Sequence, residues 1–210
     1  MLRVGLTGGI ACGKTTVGEM LAKRGAHVIQ ADLIAHELMQ PGQAVYEEVV
    51  QHFGREILEP DGKINRQKLA TLAFATDVAG SRVQELNRVV HPAVIKRQEE
   101  WMEEVGRRER DAIVVVEAAL IVEAGVSKRF DKLLVVTCRP EQRSERLAKR
   151  LHWDAERARA EVARRMAAQT PEEEKVQAAD FVIDNSGTLA ETEKQVERVF
   201  RELQIVAARR

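Results

Sequence analysis

The sequence predicts an α/β fold in which a five-stranded parallel sheet is flanked by helices. Short apolar runs alternate with longer segments whose apolar residues recur at helical spacing, and such alternation is typical of parallel sheets. A glycine-rich loop at residues 8–13 joins the first apolar run directly to the first helical segment. A long helical block separates the second predicted strand from the third and is too large for a simple crossover. We therefore expect a helical insertion over the ligand-binding edge of the sheet.

Five apolar runs have the length and composition of buried strands. The third is the most distinctive, because Ala-Ile-Val-Val-Val is uncharged, rich in β-branched residues and ends at Glu117. The second is short and ends at Ala31-Asp32. The predicted strands cover residues 2–7, 26–30, 112–116, 133–138 and 181–184.

The segments between and after these strands have helical periodicity. Gly25 ends the first of them, and Pro140 begins a later one. Pro92 interrupts a long segment, so it marks either a helix start or a kink. Thr170-Pro171 closes an arginine-rich helix that begins at Asp154. The predicted helices cover residues 15–23, 44–53, 65–74, 81–105, 140–151, 154–169 and 189–206.

The glycine-rich loop has the Gly-x4-Gly-Lys-Thr spacing of a P-loop. Its glycines let successive backbone N–H groups point at a phosphate, and the helix that follows adds the positive end of its dipole. Lys14 would reach the β- and γ-phosphates of a nucleoside triphosphate, and the Thr15 hydroxyl would ligate magnesium. The residues predicted to hold the nucleotide here are Gly8, Gly9, Ile10, Ala11, Cys12, Gly13, Lys14, Thr15 and Thr16.

Two acidic residues follow predicted strands at the edge where open α/β sheets bind ligands. Asp32 lies at the right edge to face a phosphate bound in the loop. Glu117 ends the third strand, where it would hold magnesium or its water, or else act as the carboxylate at a helix N-terminus. The residues alone leave both roles of Glu117 open.

The composition excludes several other classes of protein. The 33 basic residues balance the 33 acidic ones, so no net field indicates nucleic acid or a membrane surface as partner. The chain begins directly with a strand, without a signal peptide, and no apolar run reaches the length of a membrane-spanning helix. The two cysteines, Cys12 and Cys138, fit a reducing cytoplasm better than a disulfide framework. We therefore expect a cytoplasmic protein, although local basic clusters stay possible.

Along its whole length the sequence resembles the dephospho-coenzyme A kinases, which have the P-loop kinase fold. The segment Leu-Thr-Gly-Gly-Ile-Ala-Cys-Gly-Lys-Thr at residues 6–15 is similar to the opening of that family. Further family landmarks occur in matching order. They are Ala31-Asp32, Asp61-Gly62 with Asn65-Arg66, His91-Pro92, Leu120 to Glu123, Arg146, Arg165 with Gln169, and Ala179-Asp180 to Asn185.

The resemblance implies transfer of the ATP γ-phosphate to the ribose 3′-hydroxyl of dephospho-coenzyme A, the final step of coenzyme A synthesis. Asp32 would be the catalytic base, while Lys14, Arg146 and magnesium on Thr15 would neutralise the transferring phosphoryl group. Arg146, Arg165 and Asn185 would complete the ATP site. The residues expected to bind the acceptor are Asp32, Arg66, His91 and Glu117.

The same reasoning divides the chain into three parts. The helical insertion would bind dephospho-coenzyme A, and the arginine-rich helical pair would close as a lid over the triphosphate. The nucleotide-binding core takes residues 1–32, 108–147 and 172–210, the acceptor domain residues 33–107, and the lid residues 148–171.

The sequence departs from the family pattern at a few positions. Ala11 and Cys12 replace Gly-Ser in the loop, Gln30 replaces an aspartate, and Ala119 replaces a proline. The cradle should survive, because backbone groups bind the phosphate. Cys12 would be either a reactive thiolate, its pKa lowered by the helix dipole and Lys14, or an inert thiol packed under the loop.

Two other functions stay open from the residues alone. Another small-molecule or nucleotide kinase on the same scaffold would differ in the helical insertion, residues 33–107. A non-catalytic ATP-binding switch would have no need of a carboxylate at Asp32. A guanine-reading Asn-Lys-x-Asp sequence is missing, which weighs against a GTPase.

Overall fold

The computed structural model describes residues 1–74 and 82–209. Five strands form one sheet, and all four strand pairings in it are parallel. The predicted parallel sheet is therefore confirmed. The strands are β1 (Leu2–Gly8), β2 (His27–Gln30), β3 (Ile113–Glu117), β4 (Lys132–Thr137) and β5 (Phe181–Asp184).

Nine α-helices are present among the described residues. They are α1 (Lys14–Ala22), α2 (Ala31–Leu38), α3 (Ala44–Phe53), α4 (Arg66–Phe74), α5 (Val83–Arg108), α6 (Pro140–Leu151), α7 (Ala155–Ala167), α8 (Glu172–Ala178) and α9 (Leu189–Ala208). Short 3-10 helices cover Arg55–Ile57 and Ser127–Arg129.

Most predicted helices are confirmed to within a few residues, and α2 lies in the predicted helical block, where no separate bounds were predicted for it. Two further points differ. Helix α5 continues through Pro92, so this proline does not mark a helix start. Proline has no backbone N–H, so the helix lacks the hydrogen bond that another residue at this position would donate to the carbonyl one turn earlier. The loss of that single bond is tolerated in a 26-residue helix. Helix α8 follows Pro171 directly and was not predicted, because its seven residues carry little periodicity. The predicted helix start at Ser81 lies outside the described residues.

The strand order is β2-β3-β1-β4-β5, with β1 at the centre. Leu6 and Gln30 both pair with Glu117, Gly8 pairs with Val136, and Thr137 pairs with Asp184. Because all strands are parallel, their carboxyl ends lie along one edge of the sheet. The glycine-rich loop leaves β1 at the middle of this edge.

The principal hydrophobic core lies where α1 and α9 pack on the sheet. The central strands β3 and β4 are buried along almost their whole length, which explains their continuous apolar sequences. Helix α9 contributes one apolar stripe at helical spacing, including Val196, Val199 and Leu203. The predicted last helix is therefore confirmed, and this stripe is the face that it buries.

The chain forms two compact units. One contains the sheet and consists of Met1–Gln30 and Met102–Arg210, and the other is helical and consists of Ala31–Trp101. Within the helical unit, Val45, Val49 and Phe53 of α3 are buried along one face. A buried Ile57 and a bridge between Leu58 and Ile64 stabilise the segment that follows.

Candidate active site

The loop between β1 and α1 has the backbone that a phosphate cradle requires. Gly8 and Gly13 have φ angles of 149° and 96°, a region that L side chains rarely adopt. A Cβ on Gly8 would overlap the carbonyl oxygen of Val136, so β4 approaches the loop too closely for any side chain there. Ala11 also has a positive φ, of 56°. The loop thus accommodates Ala11 in the left-handed region, at a position where the family has glycine.

Asn185, directly after β5, fixes the far side of the loop. Its Nδ2 donates to the carbonyl oxygen of Cys12 at 2.8 Å, and its Oδ1 accepts from the Thr192 hydroxyl at 2.8 Å. Asn185 is buried, and a Cβ on Gly13 would overlap its amide nitrogen. The structure therefore places this predicted site residue against the loop backbone, where it sets the shape of the cradle.

Arg146 of α6 braces the same region. Its Nη2 donates to the carbonyl oxygen of Asn185 at 2.8 Å, and its Nη1 donates to that of Cys12 at 3.4 Å. The planar guanidinium spans two carbonyls that belong to different strand-end loops. Arg146 is thus brought to the cradle, with its cationic group beside the loop.

Lys14 lies folded over the start of the loop. Its Nζ donates to the carbonyl oxygens of Gly8 at 3.1 Å and Gly9 at 2.9 Å. These neutral acceptors hold the ammonium group where a phosphate, as an anion, would be a stronger partner.

Thr15 and Glu117 meet at the edge of the sheet. The Thr15 hydroxyl donates to Glu117 Oε1 at 2.8 Å, and Glu117 is 8% exposed. Gly18, one turn along α1, packs against this carboxylate, since a Cβ there would lie in van der Waals contact with Oε2 at 3.5 Å. The pair presents a hydroxyl and a carboxylate oxygen side by side, which are the ligand types that Mg²⁺ prefers.

Arg165 on α7 is engaged along its own helix. Its Nε donates to Glu161 Oε1 at 2.6 Å, and Arg164 donates to the same carboxylate with two nitrogens at 2.8 and 2.9 Å. Hydrogen bonds from Arg164, and then from Arg165, lower the pKa of Glu161 to about 2. Among the described residues, no hydrogen bond joins Arg165 to the glycine-rich loop.

Three predicted site residues lie in the helical unit. Asp32 is exposed in the first turn of α2, two residues after the end of β2. Arg66 is exposed at the first position of α4, and His91 is exposed within α5. Partial loss of hydration lowers the pKa of the His91 imidazole.

The Cys12 thiol is not the reactive group that one sequence-based interpretation expected. The side chain is fully buried in the principal core, and burial raises the pKa of this thiol despite the opposing charges of Lys14 and Arg143. The thiol points under the loop and only the backbone of Cys12 borders the cradle. Cys138 is also buried, as predicted, and burial raises the pKa of its thiol.

Sequence analysis missed a group of buried charges beside the loop. Arg143 is 3% exposed and pairs with Glu172, while Lys175 is 1% exposed and pairs with Glu123 at 2.6 Å. The family pattern includes Glu123 but does not indicate its partner, and a run of arginines gives no sign of which one turns inward. A single lysine among glutamates, as at 175, reads as a solvent-exposed helix position.

Comparison with known proteins identifies the family. The family model for dephospho-CoA kinase matches residues 2–191 of this chain. The chain belongs to the dephospho-CoA kinase family. It is 41% identical over 203 residues to the dephospho-CoA kinase of Aquifex aeolicus, an alignment that covers 97% of this chain and 98% of the relative.

Solved structures agree with this membership of the dephospho-CoA kinase family. A protein from Thermus thermophilus is 33% identical with a TM-score of 0.76, and the match covers 96% of this chain and 97% of the other. Dephospho-CoA kinase from Campylobacter jejuni is 25% identical with a TM-score of 0.60, covering 95% and 96%. The chain is therefore an enzyme with the P-loop kinase fold, as predicted, and its loop is a nucleotide-binding P-loop.

The described residues form neither a membrane-spanning helix nor a cluster of metal-ligating side chains. No helix among them combines the length and apolar character needed to cross a membrane. They also contain no group of three or more His, Cys, Asp or Glu side chains that could hold a metal ion. A metal at Thr15 and Glu117 would have to take further ligands from elsewhere.

Proposed function

We propose that this enzyme transfers the γ-phosphate of ATP to the 3′-hydroxyl of the ribose of dephospho-coenzyme A. Membership of the dephospho-CoA kinase family, together with an intact P-loop, carries the proposal. The hydroxyl oxygen attacks the γ-phosphorus, the bond from that phosphorus to the β–γ bridging oxygen breaks, and ADP leaves. The hydroxyl proton passes to a base on the protein.

The ATP half of the reaction uses residues of the sheet-containing unit. On ATP binding, Lys14 would exchange the carbonyl oxygens of Gly8 and Gly9 for phosphate oxygens, because the charged partner is the stronger acceptor. The loop N–H groups would hold the β-phosphate, and Arg146 would add positive charge beside Cys12. Transfer through a loose transition state depends mainly on such positioning and charge neutralisation.

Magnesium fits the pair formed by Thr15 and Glu117. The hydroxyl and the carboxylate stand 2.8 Å apart at the base of the loop, and both are hard oxygen donors. When bound, Mg²⁺ would neutralise charge on the β- and γ-phosphates, with those phosphates and water supplying the rest of its ligands. Glu117 thus serves the metal in this proposal, while its other assignment, to the acceptor, remains a prediction.

Asp32 is the proposed base. It lies in the first turn of α2, two residues after β2 ends, and β2 ends at the same edge of the sheet as the P-loop. An exposed carboxylate in the first turn of a helix can accept a proton from the hydroxyl that it orients. Arg66 and His91, both exposed in the helical unit, are the proposed contacts to the anionic acceptor.

The acceptor is tested by measuring ADP release with a panel of hydroxyl compounds. Dephospho-coenzyme A should turn over at least about 10²-fold more efficiently than AMP, CMP or adenosine, because remote contacts to the acceptor are used to orient its reacting hydroxyl. ADP release without any acceptor gives the background. Equal efficiency with a nucleoside monophosphate would support a nucleotide kinase instead. ATP binding without transfer to any member of the panel would support a switch.

A further inference from the structure

We infer that Arg143 is a positioning residue, which holds the P-loop in place at Gly9. Through Glu172 it also couples the loop to the C-terminal end of the predicted lid, residues 148–171. The inference rests on the proposed function only in that the loop binds ATP. It concerns a residue outside the predicted ATP site, and it follows from burial, contacts and charge around α6 and α8.

The guanidinium of Arg143 lies directly on the P-loop. Its Nη1 would be 2.5 Å from a Cβ on Gly9, so the group covers the backbone where a side chain would otherwise stand. A side chain at position 9 would have to displace this buried guanidinium. The carbonyl oxygen of the same residue, Gly9, accepts a hydrogen bond from Lys14. A shift of Arg143 would therefore change the backbone that positions Lys14.

The burial of Arg143 requires a partner charge. Its Nη2 donates to a carboxylate oxygen of Glu172 and, at 3.4 Å, to the carbonyl oxygen of Cys138. Its Nε has no hydrogen-bond partner among the described residues. Glu172 keeps 29% of its side chain exposed, against 3% for Arg143. Arg143 thus depends on Glu172, since the arginine cannot turn to solvent and the glutamate can.

The segment that contains Glu172 is also anchored by a second buried ion pair. Lys175, one turn further along α8, pairs with Glu123, and Glu123 also accepts from the backbone N–H of Thr170 at 3.1 Å. This segment directly follows α7, which carries the arginines of the predicted lid. A small cavity beside it is lined by Gly9, Arg143, Met166, Gln169, Thr170 and Glu172. The P-loop and the end of the lid helices therefore share one buried polar cluster.

The coupling predicts a loss that is specific to ATP. Arg143→Gln removes the cover over Gly9 and should raise the dissociation constant of ATP about tenfold, the worth of one charged hydrogen bond. The KM of dephospho-coenzyme A should change less than about twofold. Arg143→Lys keeps the charge but loses the planar fork, so its ATP dissociation constant should lie between those of the unaltered enzyme and Arg143→Gln. Arg201→Gln is the matched control, because it removes an arginine from an exposed pair on α9.

Calorimetric titration measures the ATP dissociation constant without relying on turnover, and steady-state kinetics measures the KM of each substrate. A lowered melting temperature with an unchanged ATP dissociation constant would show a purely structural role and overturn the inference. If Arg143→Gln does not fold, Arg143→Lys decides: ATP affinity equal to that of the unaltered enzyme overturns it. Failure of the proposed acceptor would leave the ATP titration unaffected.

A double variant tests the coupling to Glu172. If Glu172 acts only through Arg143, adding Glu172→Gln to Arg143→Gln should not weaken ATP binding further. The ATP dissociation constants of the double variant and of Arg143→Gln should therefore agree to within about twofold. Losses that multiply would show that the two residues act independently, and they would overturn the coupling.

Discussion

Gly13 is the residue at which backbone strain and the shape of the phosphate cradle can be separated. A side chain there would meet both an unfavourable φ of 96° and the amide of Asn185. Gly25 has a similar φ of 103°, yet no described atom lies within 4 Å of a Cβ placed on it. The two glycines therefore form a matched pair.

Alanine at each position should cost about 1–2 kcal/mol of stability from the left-handed backbone. Only Gly13→Ala should also displace Asn185 and raise the ATP dissociation constant by about tenfold or more. Chemical denaturation and ATP titration of both variants give the comparison. Equal ATP affinity in the two variants would mean that Asn185 does not shape the cradle.

Cys12 should resist alkylation in the folded enzyme. Burial raises the pKa of its thiol, so the thiolate fraction at neutral pH is smaller than for a free cysteine, and the reagent has no access. Treatment with iodoacetamide followed by peptide mapping should find little label on Cys12 until denaturant is added. Rapid labelling of the native enzyme at Cys12, with protection by ATP, would restore the reactive-thiolate interpretation.

These residues also show where prediction from sequence stops. Glycine spacing was enough to locate the P-loop, because the required φ angles follow from the motif. The state of Cys12 could not be predicted, since the direction of its side chain depends on how α1 packs on the sheet. Arg143 was missed for the same reason: sequence does not distinguish an inward arginine from its solvated neighbours.

At the level of elements, strands and long helices were predictable, and the bounds of two short helices, α2 and α8, were not. The bounds of α3, α6 and β5 follow from apolar periodicity and from Pro140 as a helix-starting residue. Helix α8 depends on tertiary contacts, with Lys175 buried against Glu123. The continuity of α5 through Pro92 likewise depends on burial, since Val90 and Val94 on either side of the proline are both packed inside.

Helix α7 should lose part of its stabilisation in acid. Hydrogen bonds from Arg164 and Arg165 lower the pKa of Glu161 from 4.5 to about 2. Because the folded-state pKa is the lower one, the stabilisation is complete above about pH 4.5 and declines as the pH falls toward about 2. Glu161→Gln should therefore be less stable than the unaltered enzyme at about pH 7.

The stability difference should stay constant down to about pH 5 and narrow by more than half near pH 3, because the glutamate then binds a proton in the unfolded chain. Urea unfolding of both proteins at each pH measures this difference in the free energy of unfolding. A difference that is the same at about pH 3 and pH 7 would show that the carboxylate contributes nothing through its charge.

For the molecule as a whole, the sheet organises the site. Parallel strands bring the P-loop, Glu117 and Asn185 to one edge, although they are far apart in the chain. Sequence alternation was sufficient to predict this arrangement. The helical unit, Ala31–Trp101, carries Asp32, the proposed base.

The central claim is most directly tested by identifying the product made by the enzyme and by its Asp32→Asn variant. Incubation with ATP and dephospho-coenzyme A, followed by ³¹P NMR, should show one new phosphomonoester whose phosphorus couples to the ribose H3′. Asp32→Asn should bind ATP normally and form this product about 10²- to 10⁴-fold more slowly, while Glu37→Gln, an exposed change on the same helix, should not. A phosphate at another hydroxyl, or a normal rate in Asp32→Asn, would contradict the account.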